Sequence, residues 1–238
     1  MKRISLLLLS MFLYFLLACK KDGSNTGNHD GCKIVRVDYT SDVHGTSSSY
    51  ISYDSQNRVI RVDEGIKQSS IFRTYKYESD KITVSATEGS NSGVIRIYTL
   101  QNGHVIKGAS ENGNWVFFYG YDNAGRLISA DLTSINKGYV SSLSWDTNNI
   151  TAMDNVSVEY INSPLEIFEL AHPLFLSGQI LEDDSDPFLL MGGYFGKNPL
   201  NIPFRIGNET FNYVKDSDGA IISMQSDSWE MNVYRDCN

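Results

Sequence analysis

The chain has 238 residues, with 20 Lys and Arg against 28 Asp and Glu and a net charge of −8. Five Pro and 19 Gly exclude a collagen-like or low-complexity chain, and 41% hydrophobic with 20% charged residues can bury a core without a metal or disulfide scaffold. The acidic balance excludes nucleic acid as a partner, because a phosphate backbone selects a basic surface.

Met1-Lys2-Arg3 is followed by an apolar run from Ile4 to Leu17, interrupted only by Ser5 and Ser10, and then by Ala18. A basic start, a short apolar stretch and a small residue read as a secretory signal over 1–18, too short for a comfortable membrane span. Leu16-Leu17-Ala18-Cys19 resembles the bacterial lipobox, whose cysteine receives diacylglycerol and becomes the new N-terminus after cleavage. That resemblance makes Cys19 the lipid attachment site and the mature protein an exported envelope lipoprotein of the outer membrane. Its acyl chains supply about 0.8 kcal/mol of anchoring per buried methylene. Lys20-Lys21-Asp22 leaves both the periplasmic and the cell-surface face of that membrane open.

Residues 19–32 are polar and glycine-rich and read as a flexible tether, with the folded domain over 33–238. Cys32 and Cys237 stand at the two ends of that domain. In an oxidising compartment, with domain ends commonly adjacent, a disulfide between them is one expectation and two unpaired thiols the other.

From Val35 the dominant pattern has period two. Val35, Val37 and Tyr39 alternate with Arg36, Asp38 and Thr40, and Ile82, Val84 and Ala86 alternate with Lys81, Thr83 and Ser85. This is the mark of strands with one buried face. Trp115 to Tyr121 is apolar on both sides, which predicts a central strand under a covering element. Strand-ending residues Tyr53, Tyr77, Leu100, Tyr121 and Trp145 each lead into an Asp-, Asn-, Ser- or Gly-rich corner and then a new apolar strand. A spacing of 21 to 24 residues suits two strands and two turns, so the chain to about residue 160 is predicted to be an antiparallel meander. A sixth corner falls at Lys215–Ile221. Asn162-Ser163-Pro164 followed by Leu165, Phe168 and Leu170 predicts one short helix ending before Pro173, and Phe175–Pro203 reads as a segment covering one face or end of the sheet. The fold class is mainly β: a strongly curved, half-open barrel-like antiparallel sheet with that helix and covering segment, near 161–203, packed on it.

The corner Tyr121-Asp122-Asn123-Ala124-Gly125-Arg126-Leu127 resembles the YD repeats of large Rhs-type bacterial proteins. Combined with the short helix and Gly193-Tyr194-Phe195-Gly196-Lys197-Asn198-Pro199-Leu200-Asn201-Ile202-Pro203, the corners look like a family of uncharacterised Bacteroidetes envelope lipoproteins, domains of unknown function with a porin-like fold. The resemblance covers roughly residues 33–235. It implies a half-open barrel wrapped around a helix and carries no activity.

Chemistry-bearing motifs are sparse. Gly193–Lys197 lacks the first Gly and the hydroxyl residue of a phosphate loop, and its backbone is expected to pack against the sheet. His29, His44, His104 and His172 are scattered, so no catalytic residue, metal site or cofactor is assigned. The acidic run Glu182-Asp183-Asp184-Ser185-Asp186 alternates faces and reads as a solvated loop, and Asp216-Ser217-Asp218-Gly219 as a hairpin turn rather than a calcium loop. Trp145 and Trp229 are the candidate ligand-stacking aromatics. The reading is a membrane-anchored, non-catalytic module for a ligand or partner, a glycan or an envelope protein. The alternatives are a glycan-active hydrolase using a carboxylate pair, and a carrier of an apolar ligand in the half-barrel.

Overall fold

A computed structural model describes residues 32–43, 45–88, 91–134, 138–164, 173–176 and 186–237. The signal segment, Cys19, most of the tether, residues 165–170 of the expected helix, and Glu182 to Ser185 lie outside the described residues.

Twelve strands follow one another: β1 (Cys32–Ser41), β2 (Gly45–Tyr53), β3 (Val59–Glu64), β4 (Ile71–Tyr77), β5 (Lys81–Glu88), β6 (Asn91–Gln101), β7 (His104–Ser110), β8 (Trp115–Tyr121), β9 (Leu127–Ser134), β10 (Gly138–Trp145), β11 (Ile150–Met153) and β12 (Val156–Pro164). Among the described residues two short helices come next, α1 (Pro173–Leu176) and α2 (Pro187–Met191). The chain ends in β13 (Asn201–Ile206), β14 (Glu209–Thr210), β15 (Asn212–Lys215), β16 (Ile221–Gln225) and β17 (Trp229–Cys237). Each strand from β1 to β13 pairs antiparallel with the next, which is the meander that the period-two pattern predicts.

The sheet curls further than a half-open barrel. β1 pairs with β17 as well as with β2, and β14 and β15, separated only by Phe211, pair with β13 and β16 respectively. The 17-stranded sheet therefore nearly closes on itself, which removes the exposed edges that invite aggregation. Cys32 and Cys237 face each other in the β1–β17 register and form a disulfide, with their sulfurs 2.04 Å apart. The wall is lower on one side. β11 pairs with β12 only through Ala152 and Met153, and β13 with β14 only through Arg205 and Ile206. There the first half of β10 has β9 as its one described strand partner, and Asp154 Oδ1 accepts the Ser142 backbone N–H at 2.6 Å.

Three of the six corners share one construction. Asp122 Oδ1 accepts the backbone N–H groups of Ala124 (2.9 Å) and Arg126 (3.0 Å), and Oδ2 accepts Arg126 Nε (2.6 Å). Gly125 closes the turn at φ +75°, a left-handed conformation that disfavours side chains. Asp54 binds Gln56 and Arg58 in the same way, and Asp216 binds Asp218 and Ala220, so the sixth motif is a hairpin turn as predicted. At four corners the aromatic before the turn reaches back to an earlier strand. Tyr53 O–H donates to the Ile34 carbonyl at 2.7 Å, Tyr77 to Val59 at 2.8 Å, Tyr121 to Val105 at 2.7 Å, and Trp145 Nε1 to Leu127 at 2.8 Å. Each satisfies a partly buried polar tip while its ring covers the core. Arg58 in turn lies 4.5 Å over the Tyr77 ring and Arg126 5.6 Å over the Trp145 ring, tying each corner to the next.

The interior at the corner end is filled by residues 186–203. Phe188, Leu189, Leu190 and Phe195 are all buried, each contributing about 1.5–3 kcal/mol of burial. Phe195 meets Tyr98 and Tyr119 edge-on, with centroids 6.3 and 5.1 Å away. Backbone bonds fix the segment to the sheet: Val105 N–H to the Tyr194 carbonyl (2.8 Å), Lys197 N–H to Gly125 (2.9 Å) and Leu200 N–H to Asn148 (3.0 Å). Covering by this segment agrees with expectation, and so does the packing of Gly193–Lys197 against the sheet.

Three expectations need correction. β8 is covered on its inner face only, and Phe118 on its outer face is 48% exposed, because the filling segment lies inside the barrel and nothing described lies outside it. Asn162, Ser163 and Pro164 lie in strand β12, where Pro164 pairs with Asn201 of β13, so they are not the cap and first turn of a helix, and residues 165–170 of the expected helix lie outside the described residues. The cap-and-proline signal operates later: Asp186 caps α2, accepting the Phe188 N–H at 3.0 Å, with Pro187 in the first turn. Asp186, expected at the end of a solvated loop, is only 2% exposed. Among the described residues no helix is long and apolar enough to cross a membrane.

Candidate functional site

Away from the filled corner end, the inner face of β3 to β8 carries polar side chains. Pairing places Tyr75 opposite Val84, Val84 opposite Arg96, and Arg96 opposite Ser110, so these residues form one inward row. The row continues to Trp115, whose backbone N–H donates to Ser110 Oγ at 3.4 Å. One step further from the corners, Arg73 stands opposite Ala86, and Ala86 opposite Gly93. Two arginines therefore flank a floor of small residues.

Neighbouring groups complete the cluster. The guanidinium of Arg73 lies 3.5 Å from Glu64 Oε1, and Ser49 Oγ donates to Glu64 Oε2 at 3.0 Å. The Arg73 and Glu64 side chains keep 39% and 30% of their exposure, so this part of the wall is open to solvent. The guanidinium carbon of Arg96 lies 5.4 Å from the Trp115 ring, and Arg96 Nη1 is 3.5 Å from the Tyr98 hydroxyl. A Cβ built on Gly93 meets nothing within 4 Å, so the floor has room above it.

Beneath this shelf lies a buried carboxylate, that of Asp186. Asp186 Oδ2 accepts the Tyr75 hydroxyl at 2.7 Å. Burial pushes the Asp186 carboxyl above the ordinary carboxylate range, outweighing the Tyr75 bond and the fields of Arg73 and Arg96, which act the other way. Burial likewise drives the Tyr75 hydroxyl well up, helped by the adjacent carboxylate. Asp186 is thus held as an internal anchor for α2 and not presented to solvent.

The residues singled out from the sequence fall elsewhere. Trp145 is half-buried in its corner. Trp229 donates from Nε1 to Glu209 Oε1 at 2.9 Å, with its ring 6.0 Å from that of Tyr39 and 5.9 Å from that of Phe211. Cys32 and Cys237 are joined at the corner end. The structure brings none of these four to the shelf. A shallow open cleft lies near Trp229 between the tips of the low hairpins, Asn155–Ser157 and Arg205–Glu209. Arg73, Arg96 and Glu64 escaped sequence reading because each occupies an alternating strand position, where an inward charge and an outward one look alike. The legible signal was the two small residues that face each other on β5 and β6 beside Arg73, Ala86 and Gly93.

No protein-family profile matches the chain, and no curated protein sequence matches it. Solved structures do. A porin-like protein from Bacteroides uniformis superposes with a TM-score of 0.56 at 12% identity, over 85% of this chain and 98% of that one. A porin-like protein from Bacteroides vulgatus superposes with a TM-score of 0.56 at 13% identity, over 84% of this chain and 97% of that one. At these identities the likeness is one of fold: the nearly closed antiparallel barrel-like sheet is shared almost from end to end.

Proposed function

We propose that this chain is a lipid-anchored protein of the bacterial outer membrane whose curved sheet binds a ligand without transforming it. The observation that carries binding is the shelf on the interior wall, where the Arg73–Glu64 pair is open to solvent beside the half-buried Arg96 and Trp115. The lipobox at Leu16–Cys19 supports the anchor, and the fold shared with porin-like Bacteroides proteins accords with an envelope setting. Phe195 occupies the space behind β8, which favours a ligand on the open shelf over an apolar cargo carried inside. Cys19→Ser tests the anchor. The wild-type chain should label with palmitate and sediment with membranes, and the variant should do neither. Labelling retained in the variant would overturn the anchor. A glycan, lipid and envelope-protein panel tests binding.

A second reading, a glycan-active hydrolase, draws on Glu64 of the wall and Asp186 of the filling segment beneath it as a carboxyl pair. Burial of Asp186 and its use as a helix cap favour the non-catalytic reading. Release of reducing ends from any glycan that binds, abolished by Glu64→Gln, would reverse that preference.

A further inference from the structure

We infer that the outer face of β8 packs against the same face of a second copy of this chain, with the two Phe118 rings meeting on a two-fold axis. Phe118 is the exposed aromatic of that strand, although Phe117 and Tyr119 on either side of it are buried. Strand register puts it inside one outward row: Lys107 stands opposite it on β7, Asp131 opposite it on β9, and Val140 beyond Asp131 on β10. The next outward row, Ile97, Ala109, Val116 and Thr133, carries no charge. The patch is therefore apolar along β8, with a cation to one side and an anion to the other. Exposed apolar patches with a polar rim mark interaction surfaces.

The order of the charges selects the partner. A two-fold axis lying in the contact and parallel to β8 presents each row to its own mirror order. It sets Lys107 of each copy against Asp131 of the other, so two equal ion pairs flank the Phe118 rings. Both charges are open to this use. Among the described residues neither forms an ion pair: Lys107 Nζ lies over the Phe118 ring, 5.8 Å from its centroid, and no donor reaches the buried Asp131 Oδ1. The same axis lays Val116 on Val116 and Ala109 on Thr133. Sheets that meet face to face hold their strands within about 30° of each other, so the wall can accept it. An axis across the strands would set Lys107 on Lys107. The start of the domain favours the same choice, because β1 begins at the corner end, where Cys32 leads back to the tether. An axis parallel to the strands points both corner ends one way, so both tethers can reach one membrane, where a shared surface raises effective concentration and a small patch suffices. A hydrocarbon surface fits this row poorly, since it would bury Lys107 and Asp131 unpaired.

The test is oxidative cross-linking of the full chain in membranes and, with Cys19→Ser, in solution. Phe118→Cys changes a surface position on the axis and should give a disulfide-linked homodimer. Wild type is the blank, and Lys76→Cys, exposed on the outer face of β4, should link at least about tenfold less. Adding Lys107→Asp or Asp131→Lys to Phe118→Cys replaces two attractions by two repulsions and should cut the linked fraction about tenfold. Adding both exchanges the charges and should restore it. No homodimer from Phe118→Cys in either setting would overturn the pairing, and so would equal linkage through Lys76→Cys. Linkage to a chain of another mass would give the face to a different partner and overturn the second copy as its occupant. A double reversal no better than the single ones would overturn the two-fold register. Homodimers from a chain that takes up no palmitate would remove the anchor and leave the pairing standing, so the two readings fail separately.

Discussion

The Tyr75 hydroxyl donates to Asp186 Oδ2 across 2.7 Å, although the two residues are 111 positions apart in the chain. This bond ties the segment that fills the barrel to the wall of the meander. The same carboxylate caps α2 through the Phe188 N–H, and Phe188 packs edge-on against Tyr75. One buried polar pair therefore sets where the filling segment enters and where the open shelf begins.

Tyr75→Phe removes the donor and leaves one carboxylate oxygen of Asp186 buried without it. The expected cost is about 1–3 kcal/mol, or several degrees in melting temperature for a domain of this size, read by thermal and urea denaturation. A change within experimental error would mean that Asp186 is not anchored through Tyr75.

The pH dependence of this site has a definite sign. Burial raises the folded carboxyl of Asp186 above its unfolded value. Between those two values the folded state holds more protons than the unfolded state, so stability falls as pH rises through that window. Asp186→Asn abolishes that titration, and the stability of the variant relative to wild type should climb with pH from the ordinary carboxylate range upward. Parallel stability curves would count against a raised carboxyl.

The corner carboxylates have the opposite sign. The Arg126 backbone N–H, ahead of burial, which opposes it, and of the Arg126 guanidinium, holds the Asp122 carboxyl below its ordinary range. Its contribution is present above the unfolded value and lost as pH falls through the folded one. Asp122→Ala should cost about 1 kcal/mol at neutral pH and show a shallower acid limb in a pH series of urea midpoints.

Gly196 tests how closely the filling segment meets the sheet. At φ +88° its missing Cβ would lie 2.5 Å from the Gly125 carbonyl oxygen, a backbone atom that cannot step aside. Gly196→Ala should destabilise by more than the roughly 1 kcal/mol of an ordinary helix or strand glycine exchange. It should also expose 186–203 to limited proteolysis before the strands are cut.

The disulfide closes a span of 205 positions and fastens β1 to β17, where the sheet meets itself. Cys32→Ser with Cys237→Ser should lower stability by about 2–5 kcal/mol, and adding reductant to wild type should reproduce the loss. A wild type indifferent to reductant would mean that the two thiols are not bridged in the isolated protein.

The sequence by itself determined the strands and the corners, because both are local. Period-two alternation marks one buried face in Ile82, Val84 and Ala86, and a single Asp closes a corner with the N–H groups two and four residues on, as in Asp54, Asp122 and Asp216. Consecutive strands joined by such corners have little choice but to pair as a meander. The tertiary structure alone decided how far the sheet curls, because closure depends on β1 meeting β17 from the opposite end of the chain. It also decided the fate of Asp186, acidic and apparently solvated in sequence, because the partner that holds it in the interior lies on β4. The shelf belongs to the same class. Arg73, Arg96 and Trp115 face one space only through strand registers and the curl of the wall, long-range relations that no short stretch of residues encodes.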